Sequence, residues 1–167
     1  MDIEIKEASA GDVELLLPLF LDMERHYDGD DGVDGMTARA RLSEALDGGE
    51  GVMLVALDRQ ALGFASLFQM FPTTGLTSMW YLKELYVSAG ARGRRVGELL
   101  MCEAAKVVLA RGGLRLEFTT ERSNLGAQKF YGRLGAAEMP KVFYRLDEAG
   151  LSALSEVSHD DLSSTQK

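Results

Sequence analysis

Three arginines lie within four positions of a glycine-containing turn, in the stretch Ala91–Leu100, ARGRRVGELL. The apolar periodicity that begins at Val96 predicts a helix directly after this turn. The first amides of a helix have no intrahelical partner, and the helix dipole makes that end partially positive. The turn is therefore suited to an anion, usually a phosphate. A solvated basic turn, or a short targeting or RNA-binding cluster, is an alternative interpretation of the same residues.

The whole chain carries a net charge of −8, and its positive and negative charges are concentrated in different segments. The segment from Asp22 to Asp34 holds six carboxylates and one base, Arg25, whereas the segment from Lys83 to Arg115 holds seven bases and three acids. The first segment suits a cation and the second an anion. An acidic run such as 28–34 is also typical of a solvated loop.

The elements that must position these residues follow from the periodicity of the apolar side chains. Alternation predicts strands over Asp2–Glu7, Met79–Val87 and Leu114–Thr120. Two apolar runs joined by a short turn predict a hairpin of Val52–Leu57 and Ala61–Phe71, and a last strand is predicted over Val142–Leu146. Helical spacing and capping residues predict helices from Ser9 or Asp12 to His26, over Ala38–Asp47 behind Thr37, over Arg95–Arg111, from Asn124 to Leu134 and over Glu148–Glu156. Hairpin strands around a central strand–helix–strand unit indicate an α/β or α+β fold with helices on both faces of the sheet.

Composition limits the classes of protein to consider. With 167 residues, 46% of them hydrophobic and 26% charged, we expect one domain over residues 1–157 and a frayed polar tail over 158–167. The sequence pI near 4.8 argues against nucleic acid or an anionic membrane as the main partner. No apolar run approaches the roughly 20 residues that span a bilayer, and the N-terminus lacks the regions of a signal peptide. We therefore expect a cytoplasmic protein.

The single cysteine and the two histidines give no spacing typical of a metal site. Cys102 lies in the middle of a predicted helix, where we expect a small core residue. The sequence therefore predicts no metal.

The order of motifs over residues 52–146 is similar to that of a known superfamily. A strand YLKELYV, the turn RGRRVG opening a helix, a strand LRLEFTT and the segment SNLGAQKFYGRLGA resemble the GNAT superfamily of acetyl-CoA-dependent N-acetyltransferases. In that family the turn reads Arg/Gln-x-x-Gly-x-Gly/Ala, which Arg92 and Gly97 match, while Arg95 stands at the usual middle glycine. The second signature is matched by Asn124, Ala127, Phe130, Tyr131 and Gly135.

The resemblance implies a mixed, mostly antiparallel sheet of about six to seven strands, with acetyl-CoA bound along one strand and at the turn. The residues it assigns to acetyl-CoA are Leu85, Tyr86, Val87, Arg92, Gly93, Arg94, Arg95, Val96, Gly97, Asn124 and Tyr131. A main-chain N–H near Leu85 or Tyr86 would polarise the thioester carbonyl. We expect Arg95 to have the negative φ of a helix N-terminus, with its side chain turned away from the anion.

The resemblance also assigns the chemistry. Tyr131 matches the general acid that protonates the departing sulfur, although it could also only pack its helix on the sheet. Glu84 is the best candidate for the base. It could take the proton of the amine directly, act through water, or only bind the cationic acceptor.

Within the superfamily, YLKELYV, FYGRLGA and FYRLDEAGLSAL are similar to the branch that acetylates spermidine, spermine and thialysine. That branch implies an acceptor site built from Glu84 and, at the end of the first helix, Glu24, Tyr27 and Asp28. Lys83 replaces one of two adjacent strand acids common there. We therefore expect a small cationic acceptor: a polyamine, a lysine-like amino acid or an aminoglycoside. Peptide or protein acetylation and a non-catalytic acyl-CoA-binding module are the alternatives. Many relatives are homodimers, and Ala61–Phe71 or the C-terminal strand could pair across subunits.

Overall fold

The structure is a computed structural model that describes residues 2–29 and 32–157, without the side chain of Asp28. Its chain divides into two compact units, one ending at Lys129 and the other beginning at Phe130. The strands are β1 Glu4–Glu7, β2 Gly51–Asp58, β3 Gln60–Thr73, β4 Thr77–Val87 and β5 Leu116–Glu117. The helices are α1 Val13–Asp28, α2 Gly35–Asp47, α3 Val96–Ala110, α4 Leu125–Arg133 and α5 Glu148–Ser155.

The first unit contains one sheet with the strand order β1-β2-β3-β4-β5. The first four strands run antiparallel to their neighbours, and β5 is parallel to β4. The predicted fold class is confirmed, but five strands replace the expected six to seven among the described residues. Leu114–Thr120 is reduced to two paired residues, and Val142–Leu146 forms no strand. A sequence pattern can indicate which side chains would lie on each face of a strand. The strand forms only where a neighbouring strand completes its main-chain hydrogen bonds.

Helices cover both faces of this sheet, as predicted. The inner face of α3, centred on Leu100 and Ala104, packs against Leu54 and Leu67. On the opposite face, α1 and α2 form a second cluster with Phe64 and Tyr86. The sheet is therefore held between two apolar layers, and residues of β4 contribute to both of them.

A β-bulge divides β4 into two parts. Ser66 pairs with Glu84 but the next residue of β3 pairs with Leu82, so Lys83 has no partner in the ladder. Trp80 and Leu82 lie in the α3 layer, while Tyr86 lies in the α1 layer. Uninterrupted alternation would put Leu82 on the same face as Tyr86, but the extra residue at the bulge shifts the pattern by one and separates them.

Two smaller expectations are also wrong. Asp34, rather than Thr37, caps α2, since its side chain accepts hydrogen bonds from the amides of Met36 and Thr37. A carboxylate accepts two amides more readily than a hydroxyl, and the helix begins three residues earlier than predicted, at Gly35. Cys102 is exposed because the inner face of α3 is formed by residues 96, 100, 104 and 108.

Among the described helices, none is both long and apolar enough to span a bilayer. The predicted helix over Glu148–Glu156 is confirmed as α5, which Asp147 caps through the amide of Gly150. The predicted tail, 158–167, lies outside the described residues.

Candidate functional site

The turn before α3 presents a row of main-chain amides. Gly93 and Arg95 both have positive φ, 78° and 64°, and Arg95 is the N-cap of α3. The first hydrogen bond of the helix runs from the amide of Leu99 to the carbonyl of Arg95 at 3.0 Å. The amides at 96–98 precede that bond and lie at the positive end of the helix dipole. The predicted start of a helix directly after the turn is confirmed, and amides at such a position are suited to an anion.

The expectation of a negative φ at Arg95 is wrong. Its φ of 64° and ψ of 15° are left-handed, a conformation that costs an L-residue about 1–2 kcal/mol and costs glycine little. A glycine at this position therefore serves the backbone itself, in addition to any close approach of a ligand.

The strain at Arg95 leads to a stability prediction. We expect Arg95→Ala to be less stable than Arg95→Gly by about 1 kcal/mol, because both lose the side chain and only alanine keeps the strain. Urea unfolding would measure the difference. At Arg92, where φ is −60°, we expect the opposite order: Arg92→Ala should be more stable than Arg92→Gly by about 0.5–1 kcal/mol. An alanine variant at 95 as stable as the glycine variant would contradict the account.

The three arginines of the turn point in different directions. Arg92 Nε donates to the carbonyl oxygen of Val87 at 3.3 Å, which brings its guanidinium back to the end of β4. Arg94 pairs with Asp58 at 2.6 Å, and Arg95 pairs with Glu98 at 2.6 Å. Carboxylates thus already compensate two of the three charges, and Arg92 is the arginine directed at the end of the strand.

One edge of β4 is open next to this turn. In the first unit, β5 pairs with β4 only at Trp80 and Tyr81, and no described strand pairs with that edge from Leu82 onward. The other edge is held by β3, where a Cβ on Gly63 would lie 2.5 Å from the carbonyl oxygen of Tyr86. Glycine at 63 therefore permits the close pairing that supports the end of β4. The open edge contains the predicted residues Leu85, Tyr86 and Val87.

Two hydroxyl–carboxylate pairs connect α1 to the second part of β4. Tyr27 Oη donates to Glu84 Oε1 at 3.0 Å, and Tyr86 Oη donates to Asp22 Oδ2 at 2.5 Å. Burial raises the pKa of Tyr86 to about 12, with further contributions from its hydrogen bond and the charge of Asp22. The structure thus brings together the predicted residues Tyr27 and Glu84.

Asp22 and the side chain of Tyr86 form a pair that sequence reasoning did not nominate. Asp22 counted among the acidic residues, and only the main chain of Tyr86 was assigned a role. The sequence contains two related spacings: Asp22 and Tyr27 are five residues apart on α1, and Glu84 and Tyr86 are two residues apart on β4. Those spacings give two contacts only once the bulge has turned Glu84 and Tyr86 toward α1.

Of the other predicted acceptor residues, Glu24 contacts the chain beyond α1 and the side chain of Asp28 is not described. Glu24 lies against the chain at Gly32, where an added Cβ would be 3.5 Å from Glu24 Cβ. The side chain of Asp28 and residues 30 and 31 of the acidic loop lie outside the described part. Asp34 is occupied as the cap of α2, and its hydrogen bonds to Thr37 and Met36 lower the pKa of its carboxyl.

The two residues of the second signature that the resemblance assigns to acetyl-CoA, Asn124 and Tyr131, are beside and on α4. Asn124 confirms its predicted capping role, since its Oδ1 accepts from the amide of Ala127 at 3.0 Å. Tyr131 lies in the second unit and is half-buried, with its ring 5.2 Å edge-on from that of Phe130. Its carbonyl accepts from the amides of Leu134 and Ala136, which closes the end of the helix.

Across residues 2–29 and 32–157, no three His, Cys, Asp or Glu side chains are grouped as metal ligands.

Comparisons with known proteins agree with these features. The family model described as the acetyltransferase (GNAT) family matches residues 16–136. The uncharacterized N-acetyltransferase YhfO of Bacillus subtilis (strain 168) is 27% identical over 137 residues, which cover 81% of this chain and 91% of YhfO.

Solved structures show the same fold. An integron cassette protein from the mobile metagenome of V. cholerae is 32% identical with a TM-score of 0.88, covering 94% of this chain and 99% of its own. A probable acetyltransferase is 28% identical with a TM-score of 0.76, covering 86% and 97%. An aminoglycoside acetyltransferase from an uncultured soil metagenomic sample, at 16% identity and a TM-score of 0.74 over 87% and 97%, shares the fold. The match to the family model spans the greater part of the chain, including the turn before α3 and the signature on α4. This protein therefore belongs to the GNAT family of acetyltransferases.

Proposed function

We propose that this acetyltransferase moves the acetyl group of acetyl-CoA directly to the primary amine of a small cationic acceptor. The observation that carries the proposal is the position of Glu84, whose carboxylate faces the acidic end of α1 from the strand with the open edge. A polyamine, a lysine-like amino acid and an aminoglycoside are the acceptor classes considered. The fold shared with an aminoglycoside acetyltransferase is compatible with the last class.

The residues of the open edge and of the turn before α3 fit acetyl-CoA. An open strand edge from Leu85 to Val87 suits the amide-containing arm of the molecule, which can pair with main chain as an added strand does. The amides at 96–98 and the guanidinium of Arg92 suit its pyrophosphate. When bound there, acetyl-CoA supplies an acetyl group activated as a thioester.

We propose Glu84 as the group that receives the proton of the acceptor amine. An alkylamine with a pKa of ~10.4 is about 3.4 units from its neutral form at pH 7, so freeing the lone pair costs about 4–5 kcal/mol. Glu84 reaches this amine directly or through one water, and its negative charge also attracts the ammonium form. Glu24, Tyr27 and Asp28 are the proposed further contacts of the acceptor.

Tyr131 is the proposed general acid. A thiol with a pKa of ~8.5 leaves as a thiolate at a cost of at most about 2 kcal/mol at pH 7, which is less than the cost of deprotonating the amine. A main-chain N–H near Leu85 or Tyr86 is the proposed hydrogen-bond donor to the carbonyl oxygen of the acetyl group. Asn124, Gly93, Arg94 and Arg95 complete the proposed contacts with acetyl-CoA.

The test is the release of coenzyme A from acetyl-CoA with a panel of acceptors. The panel contains polyamines, lysine analogues, aminoglycosides and peptides with free amines, and mass spectrometry identifies each product. Release with small cationic amines supports the proposal. Release only with peptides indicates a peptide or protein acetyltransferase, and binding of acetyl-CoA without release indicates a non-catalytic binding module.

Arg92 provides a second test of the cofactor site. We expect Arg92→Ala to weaken acetyl-CoA binding, measured by calorimetry, and to do so more at low than at high salt, because salt screens an exposed charge pair. Lys106, on the exposed face of α3, supplies the matched control, and Lys106→Ala should bind acetyl-CoA with unchanged affinity. A loss at Arg92 that is independent of salt would indicate that its hydrogen bond to Val87 is structural.

We further propose that residues 1–157 act as a single catalytic domain in a cytoplasmic homodimer. The end of β3 supports the dimer, since Met70 is 49% exposed and Phe71 is 68% exposed. Exposed apolar side chains on one long strand are typical of an interface between copies. Light scattering of the purified chain would measure the oligomeric state.

A further inference from the structure

The two hydroxyl–carboxylate pairs between α1 and β4 differ in burial. Tyr27 is 61% exposed, so its hydrogen bond to Glu84 competes with water. Tyr86 is 5% exposed, and its ring packs 5.9 Å from that of Phe64, which stacks on Phe20 at 4.2 Å. The pair of Tyr86 and Asp22 is therefore the fixed connection between the helix and the strand, and the pair of Tyr27 and Glu84 is the exchangeable one.

The fixed connection lies where β4 has least support. Beyond Tyr81 no described strand pairs with one edge of β4, so β3 alone holds the ladder there. A strand that pairs with a neighbouring strand on one side only moves more easily than a strand in the middle of a sheet. A buried side chain that is anchored to a helix supplies the constraint that the missing strand would provide.

Three charged side chains act on the hydroxyl of Tyr86, and one of them, Arg92, belongs to the proposed cofactor site. Its hydroxyl donates to Asp22, and Arg92 and Arg25 are the cations whose charges act on it. Arg25 lies 3.6 Å from Asp22 on the outer side of the pair. Arg92 bonds to the carbonyl of Val87, the residue after Tyr86. Asp22 is thus connected through one side chain to the segment between the proposed acceptor and cofactor contacts.

We propose that Asp22 is a positioning residue, which acts through the hydroxyl of Tyr86 to fix the end of β4 that holds the acetyl group. This inference rests on the proposed function, because it concerns the strand assigned to the thioester. Hydrogen bonds to a carbonyl are effective only at the correct distance, and a displacement of about 1 Å can cost up to a hundredfold in rate. Asp22 touches neither reacting group in this account.

The variants that test it are Tyr86→Phe, which keeps the ring, and Asp22→Asn, which keeps an oxygen that can accept the hydrogen bond. Tyr81→Phe is the matched control on the same strand, since the Tyr81 hydroxyl pairs with Thr119 at 3.0 Å away from the acetyl end. Circular dichroism and thermal unfolding verify that each variant is folded before it is compared.

The first measurement is the infrared stretch of the thioester carbonyl in bound acetyl-CoA labelled with carbon-13, without any acceptor. We expect the wild type to lower this frequency and Tyr86→Phe to lose most of the lowering, with Asp22→Asn intermediate. The second measurement is turnover, where kcat should fall about tenfold in Tyr86→Phe while KM for acetyl-CoA changes less than about twofold. Because burial and Asp22 keep the hydroxyl of Tyr86 protonated, the loss should be constant from pH 6 to pH 9.

A carbonyl frequency and a kcat in Tyr86→Phe equal to those of Tyr81→Phe would overturn the proposal, even if the melting temperature falls. Binding of acetyl-CoA without transfer to any amine would overturn the proposed function alone, since the infrared measurement still decides the role of Asp22. A wild type that does not bind acetyl-CoA would overturn both.

Discussion

Replacing Glu84 with glutamine is expected to slow acetyl transfer about a hundredfold at pH 7, with the loss shrinking as pH rises toward ~10. Glutamine has nearly the same shape and can still accept the hydrogen bond from Tyr27. It cannot take a proton, so the variant depends on the fraction of acceptor that is already neutral. That fraction grows tenfold per pH unit below the pKa of the amine, and the profile of kcat against pH should become steeper accordingly.

Tyr27→Phe is the control for this substitution, because it removes the hydroxyl partner of Glu84 and leaves the carboxylate. We expect it to change KM for the acceptor more than kcat, since Tyr27 is a proposed contact of the acceptor. If Glu84→Gln raises KM and leaves kcat and its pH profile unchanged, Glu84 binds the amine and is not the base.

Replacing Tyr131 with phenylalanine is expected to lower kcat about thirtyfold at pH 7, the factor that corresponds to the ~2 kcal/mol needed to expel an unprotonated thiolate. The ring and its edge-on contact with Phe130 are kept, so the stability of α4 should change little. Rapid-quench measurements of the first turnover would separate this loss from product release.

Tyr144→Phe is the matched control in the same unit, since Tyr144 is 84% exposed and belongs to no proposed site. Its turnover should stay within about twofold of the wild type, as expected for a surface substitution. Turnover of Tyr131→Phe that equals that of Tyr144→Phe at every pH would show that Tyr131 only packs its helix.

The sequence was a good guide wherever local chemistry determines structure. The glycines around the turn, the apolar period after Val96 and the capping residue Asn124 gave α3, α4 and the row of amides, because these features depend on neighbours a few positions away. The resemblance placed Tyr27 and Glu84 in one acceptor site but did not predict their hydrogen bond, and local patterns could not, since the two residues are 57 positions apart.

The parts that the sequence did not reveal depend on long-range pairing or on backbone conformation. Val142–Leu146 is rich in the β-branched and aromatic residues of strands, but no described strand pairs with it. Arg95 adopts a left-handed conformation that its residue type does not indicate. Asp22 was one acid among several, and its importance follows from Tyr86 reaching it, which in turn depends on the bulge at Lys83.

The bulge changes the phase of β4. Four residues of β4 face α3: Trp80, Leu82, Leu85 and Val87. They are two, three and two residues apart, so Lys83 is the one extra residue in an otherwise regular alternation. Deleting it would leave every side chain on its present face but would remove the local coiling that a bulge adds to a strand. The added twist of β4 beside its open edge is thus set by the number of residues at this point rather than by their type.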